Sequence, residues 1–261
     1  MIKKIIFDKK SEGYANKLKL FENLQNPLPV SEGITILFGP NGCGKSTLLE
    51  MSANVATCLG EKRTFNYDYG WYGMPVPARE EPMYAPGLAG KIDLDWDGCP
   101  VFYRDFTDHN PSFPHDEAVY KGLKIGQLLR SASRGQSTFE HMKDLEKALE
   151  NIPNIEKIRV PETWNSTWEA RLEAWKKYIL SRGPATGKCF LLDEPDAHLS
   201  IPNQAGIWER LIEFSQKNGA QIIAASHSPA VLAEPKLQIV DFVPNYADEC
   251  RQALKKLAGR F

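Results

Sequence analysis

The chain has 261 residues and an ordinary globular composition, with 42% apolar and 25% charged residues, enough for one large domain or two small ones. Its 32 Lys and Arg nearly balance its 33 Asp and Glu, which excludes a strong global attraction to nucleic acid or anionic membranes but leaves local nucleic-acid binding open. The five cysteines form no C-x-x-C pair and no apolar run approaches the roughly 20 residues that span a bilayer, so we expect a cytoplasmic protein without a disulfide framework, zinc site or direct membrane insertion.

The first predicted elements are strands. Apolar and β-branched residues predict strands in KKIIF (3–7), KLKLF (17–21) and ITILF (34–38), the last of them buried. A Gly-rich loop follows at 39–47, and LLEMSANVATCL (48–59) has the apolar spacing of a helix.

The next predicted element is a hairpin. KIDLDWDG (91–98) and CPVFYRDF (99–106) alternate apolar and polar residues around an Asp-Gly pair, a sequence typical of two-residue hairpin turns. Helices are then predicted over 137–150, where Ser137 or Thr138 serves as the cap, and near 165–181.

The C-terminal third alternates buried strands with helices. KCFLL (188–192) and AQIIAAS (220–226) are short apolar runs typical of buried strands, and IWERLIEFSQKN (207–218) has helical spacing between them. A closing amphipathic helix is predicted at about 246–258. This alternation predicts an α/β fold with a mostly parallel sheet.

A phosphate-binding loop is the most specific motif, because GPNGCGKST fits the pattern G-x-x-x-x-G-K-S/T between a strand and a helix. Backbone N–H groups of such a loop, and the helix that follows it, attract phosphate oxygens. We expect Lys45 to contact the β- and γ-phosphates of ATP, Ser46 to ligate Mg²⁺ and Thr47 to reach the α-phosphate. The predicted ATP contacts in the loop are Gly39, Pro40, Asn41, Gly42, Cys43, Gly44, Lys45, Ser46 and Thr47.

Two adjacent carboxylates lie at the end of the predicted strand in CFLLDEP (189–195). By themselves, adjacent carboxylates at a strand end more commonly belong to a solvated turn than to a functional site. With a phosphate loop upstream, we expect Asp193 to hold Mg²⁺ through water and Glu194 to activate the water that attacks ATP, since ligands of α/β sheets bind at the carboxyl ends of strands.

Together these motifs resemble those of the ATP-binding-cassette (ABC) ATPase superfamily. DEPDAHLS (193–200) is similar to its acidic motif and D-loop, and ASHSP (225–229) to its switch segment, which implies that His227 faces the γ-phosphate. The resemblance implies one ABC-type P-loop ATPase domain over 1–261 with an N-terminal antiparallel β-subdomain. Its nucleotide-binding core would comprise 1–60 and 183–245, and a helical arm would be inserted at about 120–182.

The resemblance also implies a signature loop that caps the ATP of a partner subunit, so that two subunits sandwich two ATPs. Of two candidate segments, SRGQS (133–137) precedes a predicted helix, which favours phosphate contact by Ser133, Gly135 and Gln136. LSRG (180–183) is followed by PATGK, which leaves no room for a helix. We therefore expect the first segment to be the signature.

The branch of the superfamily is indicated by spacing. Gly135 lies 58 positions before Asp193, farther than in transporter subunits, and the motifs look like those of soluble ATPases of bacterial operons and of OLD-type nucleases.

No Gln occurs between Gln25 and Gln127, so the expected Q-loop glutamine is missing, and Asp105 is a candidate replacement.

The function expected from this resemblance is ATP hydrolysis that regulates a separate effector protein, in DNA repair or phage defence. Two alternatives stay open: the ATP-binding subunit of an ABC transporter, and an ATPase that binds DNA ends.

Overall fold

The computed structural model describes residues 1–10, 20–56, 91–106 and 187–259, together with positions 173, 176, 177, 180 and 181. The helix predicted over 137–150 lies outside the described residues, as does most of the helical arm. The helix predicted near 165–181 can be compared only at these five isolated positions, and all five are helical.

The described elements are eight strands, three α-helices and one short 3₁₀ helix. The strands are β1 (Ile2–Asp8), β2 (Leu28–Pro29), β3 (Ile34–Phe38), β4 (Lys91–Trp96), β5 (Val101–Asp105), β6 (Lys188–Asp193), β7 (Ala220–Ser226) and β8 (Gln238–Asp241). The helices are α1 (Lys45–Ala56), α2 (Ile201–Asn218) and α3 (Tyr246–Ala258), and the 3₁₀ helix is Pro229–Ala233.

A small antiparallel sheet has the order β2-β1-β4. Side chains of the central strand alternate, so that Ile5 and Phe7 are buried whereas Lys4 and Asp8 are exposed. This is the pattern of a sheet with one face on the core and one in water. The N-terminal antiparallel subdomain expected from the sequence is thereby confirmed.

The larger sheet is parallel and has the order β5-β6-β7-β3-β8. Every residue of β3 and β7 is buried, as expected for strands covered on both faces. The buried strands predicted at 34–38, 188–192 and 220–226 are thus confirmed. Because β7 lies between β3 and β6, the carboxyl ends of these three strands meet at one edge of the sheet.

The hairpin predicted over 91–106 is wrong, because β4 pairs with β1 while β5 pairs with β6 in the other sheet. Val101, Phe102 and Tyr103 are all buried, so β5 needs cover on both faces and cannot share a one-sided sheet with β4. The Asp-Gly segment turns the chain from one sheet to the other. There Asp97 Oδ1 accepts a hydrogen bond from Cys99 N (2.9 Å) and forms an ion pair with the N-terminal amino group.

The strand predicted over 17–21 is also wrong at its described end, where Leu20 and Phe21 lie in a turn. Phe21 is buried, with its ring centroid 5.2 Å from that of Phe7. Leu20 lies against the phosphate loop, since a Cβ built on Gly44 would be 3.0 Å from Leu20 Cβ. The turn therefore supports the loop from the side of the antiparallel sheet.

Helices cover the parallel sheet. Leu48 and Leu49 of α1 are fully buried, and α2 buries Ile207, Trp208 and Leu211. The helices predicted at 207–218 and 246–258 are confirmed, although α2 begins earlier, at Ile201, because Pro202 is tolerated in the first turn. None of the helices among the described residues has the length and hydrophobicity of a membrane-spanning segment.

Candidate functional site

The phosphate loop curls around the ammonium group of Lys45. Lys45 is 4% exposed, and its Nζ donates hydrogen bonds to the carbonyl oxygens of Gly39 and Pro40, both at 2.9 Å. Gly42 and Gly44 have φ angles of +79° and +104°, in the left-handed region that glycine adopts without strain. The glycines of the motif are therefore required by the path of the loop.

The loop is also tightly packed at its start. A Cβ on Gly39 would be 2.8 Å from Cys43 Sγ and 3.1 Å from Phe242 Cβ, so only glycine fits there without movement. Asn41 lies exposed at the tip, while Cys43 and Thr47 are half-buried. Burial raises the pKa of the Cys43 thiol despite the nearby Lys45, which argues for a packing role rather than a reactive thiolate.

The predicted magnesium ligands lie side by side. Helix α1 begins at Lys45, within the phosphate-loop motif, and Ser46 Oγ donates a hydrogen bond of 3.0 Å to Asp193 Oδ1 at the end of β6. Residues 147 positions apart in sequence thus meet because α1 starts at the same sheet edge at which β6 ends.

Asp193 is buried beside another carboxylate. Burial raises its pKa from 3.8 to about 7, the hydrogen bond from Ser46 opposes this rise, and the neighbouring Asp105 adds to it. Asp105 ends β5 in register with Asp193 and is itself 6% exposed. The residue proposed to replace the missing glutamine therefore lies next to the predicted metal ligand.

Glu194 meets His227 at the same edge. Glu194 Oε1 and His227 Nδ1 are 3.1 Å apart, and Glu194 N donates to Ala225 O (3.1 Å) at the end of β7. Glu194 has a φ of +49°, a conformation that non-glycine residues seldom adopt and that is concentrated at functional sites. The structure thus brings together the predicted base and the predicted switch histidine.

A buried polar network behind this pair was not predicted from the sequence. Asp196 accepts hydrogen bonds from Trp208 Nε1 (2.9 Å) and Ser226 Oγ (2.8 Å), and Ser228 Oγ donates to Gln204 Oε1 (2.7 Å). The sequence contains two hints of this network, a third acidic residue in DEPDAHLS and a serine on each side of His227. Exposed acids and serines are so common that these signals do not point to burial.

The predicted signature residues Ser133, Gly135 and Gln136 lie outside the described residues. Of the rival segment, Leu180 and Ser181 are helical and exposed, whereas Gly183 lies outside the described part. The choice between the two segments therefore stays a prediction.

Comparison with known proteins gives one partial family match and several relatives. Residues 178–233, which hold the acidic motif and the switch segment, match the family described as "AAA domain, putative AbiEii toxin, Type IV TA system". Relatives include the iron(3+)-hydroxamate import ATP-binding protein of Bacillus subtilis (23% identity over 82% of this chain and 70% of the relative). The phosphate import ATP-binding protein of Aeropyrum pernix is 22% identical over 79% of this chain and 74% of its own length.

A further relative decides the family. The phosphate import ATP-binding protein of Pyrococcus furiosus is 30% identical over 240 residues, which cover 85% of this chain and 77% of the relative. The chain belongs to the ABC-type ATP-binding proteins. This ABC-type ATPase binds and hydrolyses ATP, and its α/β fold with an added antiparallel sheet is the one expected from the sequence.

Proposed function

We propose that this ABC-type ATPase is the ATP-hydrolysing subunit of a larger assembly, that two copies pair around ATP, and that hydrolysis drives a change in a separate partner protein. The observation that carries the catalytic part is the convergence of two pairs at one sheet edge, Ser46 with Asp193 at 3.0 Å and Glu194 with His227 at 3.1 Å. The assignment of roles to these residues rests on their chemistry and position.

Phosphate binding is assigned to the loop before α1. Its N–H groups and the N-terminus of α1 present partial positive charge, and the buried Lys45 ammonium adds a full charge at the same place. Lys45 donates to two loop carbonyls at 2.9 Å, so its Nζ is already held at the concave side on which phosphate oxygens would bind. A phosphate is a better acceptor than a carbonyl, because charge-assisted hydrogen bonds are stronger.

The residues present also fit Mg²⁺. The Ser46 hydroxyl and the Asp193 carboxylate supply hard oxygen ligands, the type that Mg²⁺ prefers, and they are adjacent. Bound Mg²⁺ would neutralise charge on the β- and γ-phosphates. Burial and the neighbouring Asp105 raise the pKa of Asp193, and a cation bound beside this carboxyl would favour its ionised form.

Glu194 is assigned as the residue that receives a proton from the attacking water. As the water oxygen bonds to the γ-phosphorus, the bond to the ADP oxygen breaks and the products are ADP and inorganic phosphate. His227 holds the Glu194 carboxylate from one side, which fixes its direction, and its exposed ring remains accessible for a γ-phosphate oxygen. The strained backbone of Glu194 sets this geometry before ATP binds.

The test of this mechanism is Glu194→Gln, which keeps the shape of the side chain but removes the proton acceptor. We expect ATP to bind with affinity within a few fold of the parent, while steady-state phosphate release falls by about 10²–10⁴-fold, the usual worth of a positioned base. Glu209→Gln on the exposed face of α2 is the matched control and should hydrolyse ATP normally. Wild-type turnover by Glu194→Gln would mean that another group activates the water.

Pairing around ATP is tested in the same background. With Glu194→Gln, ATP should shift the protein from monomer to dimer on gel filtration. Gly135→Asp should abolish this shift, because the added carboxylate would face the γ-phosphate of the opposite subunit, whereas Gly183→Asp should leave it intact. The reverse pattern would identify 180–183 as the signature and contradict the proposed assignment.

Two kinds of partner are candidates. The curated relatives are import proteins by name, and this favours a membrane permease more directly than a soluble effector. The long spacing between Gly135 and Asp193 is the feature that favours a soluble effector, as the sequence predicted. Fractionation of source cells distinguishes the two hypotheses. A subunit bound to a permease should sediment with the membranes in ATP-free buffer and need detergent for release. An ATPase bound to a soluble effector should stay in the supernatant.

A further inference from the structure

We propose that Asp196 is a positioning residue whose buried carboxylate fixes the segment carrying His227 against the loop carrying Glu194. The inference rests on the proposed roles of Glu194 and His227 and adds a residue that makes no contact with ATP in the proposed mechanism. It is motivated by a carboxylate that is 1% exposed and held only a few residues from the predicted base.

One oxygen of Asp196 joins two elements. Its Oδ2 accepts a hydrogen bond from Trp208 Nε1 on α2 at 2.9 Å and another from Ser226 Oγ at the end of β7 at 2.8 Å. Burial raises the pKa of this carboxyl, while the hydrogen bonds from Ser226 and Trp208 oppose the rise. A buried acid is costly unless such donors satisfy it, so the site is built around an acceptor at this position.

The network continues to the other side of His227. Ser226 Oγ accepts a hydrogen bond from Ser228 N (3.0 Å), and Ser228 Oγ donates to Gln204 Oε1 (2.7 Å) on α2. Gln204 Nε2 in turn donates to Leu199 O (3.1 Å), in the loop that follows Glu194. Both neighbours of His227 are thereby fixed to α2 and to the acidic loop.

His227 itself needs this support. Its side chain is 43% exposed, so packing does little to select its rotamer, and its direction follows from the backbone that Ser226 and Ser228 hold. The loop from Glu194 is closed by a hydrogen bond from Ala197 N to Glu194 O (3.0 Å), which keeps Asp196 at a fixed position relative to Glu194. Asp196 thus sets the relative position of the two residues that meet at 3.1 Å.

The shared oxygen gives a matched pair of variants. Ser226→Ala and Trp208→Phe each remove one donor to the same Asp196 oxygen, but only Ser226 belongs to the segment that carries His227. We expect Ser226→Ala to lower kcat for ATP about tenfold, as small misplacements of reacting groups do, with KM changed by less than about twofold. Trp208→Phe should lower the melting temperature and leave kcat of the folded protein unchanged.

Substitutions at Asp196 complete the test. Asp196→Ala should lower kcat as Ser226→Ala does, whereas Asp196→Asn should keep most of it, because the amide oxygen can accept both hydrogen bonds. In a His227→Ala background, Asp196→Ala should cause no further loss of kcat. Measurements are made well below each melting temperature, so that only folded protein contributes.

The outcomes separate this inference from the function on which it rests. If His227→Ala leaves kcat unchanged, the proposed role of His227 fails, and positioning through it fails as well. If His227→Ala lowers kcat but Ser226→Ala and Asp196→Ala do not, only the positioning role is overturned. The positioning role would also be overturned if the separate losses of kcat from His227→Ala and Asp196→Ala multiplied in the double variant. Equal losses of kcat for Trp208→Phe and Ser226→Ala would overturn it as well. Should Asp196→Ala not fold, Ser226→Ala and Asp196→Asn decide the matter.

Discussion

Asp193→Asn should separate the effect of the buried carboxylate on stability from its role in ATP hydrolysis. Burial raises the pKa of Asp193 from 3.8 to about 7, so the folded protein binds this proton more tightly than the unfolded chain. For such a group the stabilising contribution of protonation is complete below pH 3.8 and is lost as the pH rises toward about 7. Above that range, folding carries the full cost of ionising the buried group.

The magnitude follows from linkage. At about 1.4 kcal/mol for each tenfold change in proton affinity, the interval between the two pKa values corresponds to about 4 kcal/mol above pH 7. By the same relation the cost at about pH 5 is between 1 and 2 kcal/mol, roughly. Asparagine keeps the shape and can accept the hydrogen bond from Ser46, so it removes this pH-dependent cost.

The assay is denaturant unfolding of parent and Asp193→Asn proteins at about pH 5 and pH 8, in chelator and without nucleotide. We expect the advantage of the variant in free energy of unfolding to grow by about 2–3 kcal/mol between the two pH values. Asp95→Asn, at an exposed position on β4, is the control and should show no such growth. An advantage independent of pH, or a variant less stable at pH 8, would refute the reasoning. The stabilised variant should have lost ATP hydrolysis.

Two other predictions concern the phosphate loop. Lys45→Ala should abolish phosphate release while leaving the circular dichroism spectrum intact, because Lys45 bonds only to its own loop among the described contacts; unchanged turnover would remove this loop from the mechanism. Gly39→Ala should weaken ATP binding at least about tenfold in titration calorimetry, since its Cβ would lie 2.8 Å from Cys43 Sγ and 3.1 Å from Phe242 Cβ, so that neighbouring parts of the site must move. Gly33→Ala, whose Cβ would meet no atom within 4 Å, should bind ATP as the parent does.

The sequence by itself determined the parts of the site that local chemistry specifies. A lysine and serine after a Gly-rich turn need a strand before them and a helix after them, and the chain supplies β3 and α1. Apolar runs such as 188–192 predicted buried strands because so many consecutive apolar residues can only be covered on both faces. The ends of those strands then indicated Asp193 and Glu194 as candidate ligand and base.

The tertiary structure decided which elements are neighbours. Alternation around an Asp-Gly pair is a local signal for a hairpin, yet β4 and β5 pair with partners far away in sequence, because β5 is buried on both faces and β4 on one. Likewise, nothing local places β7 between β3 and β6, and only this order brings His227 to Glu194. No sequence pattern marks the hydrogen-bonded group of Asp196, Trp208 and Ser226. The hydrogen bonding of a buried acid depends on packing between elements, which the order of the chain does not specify.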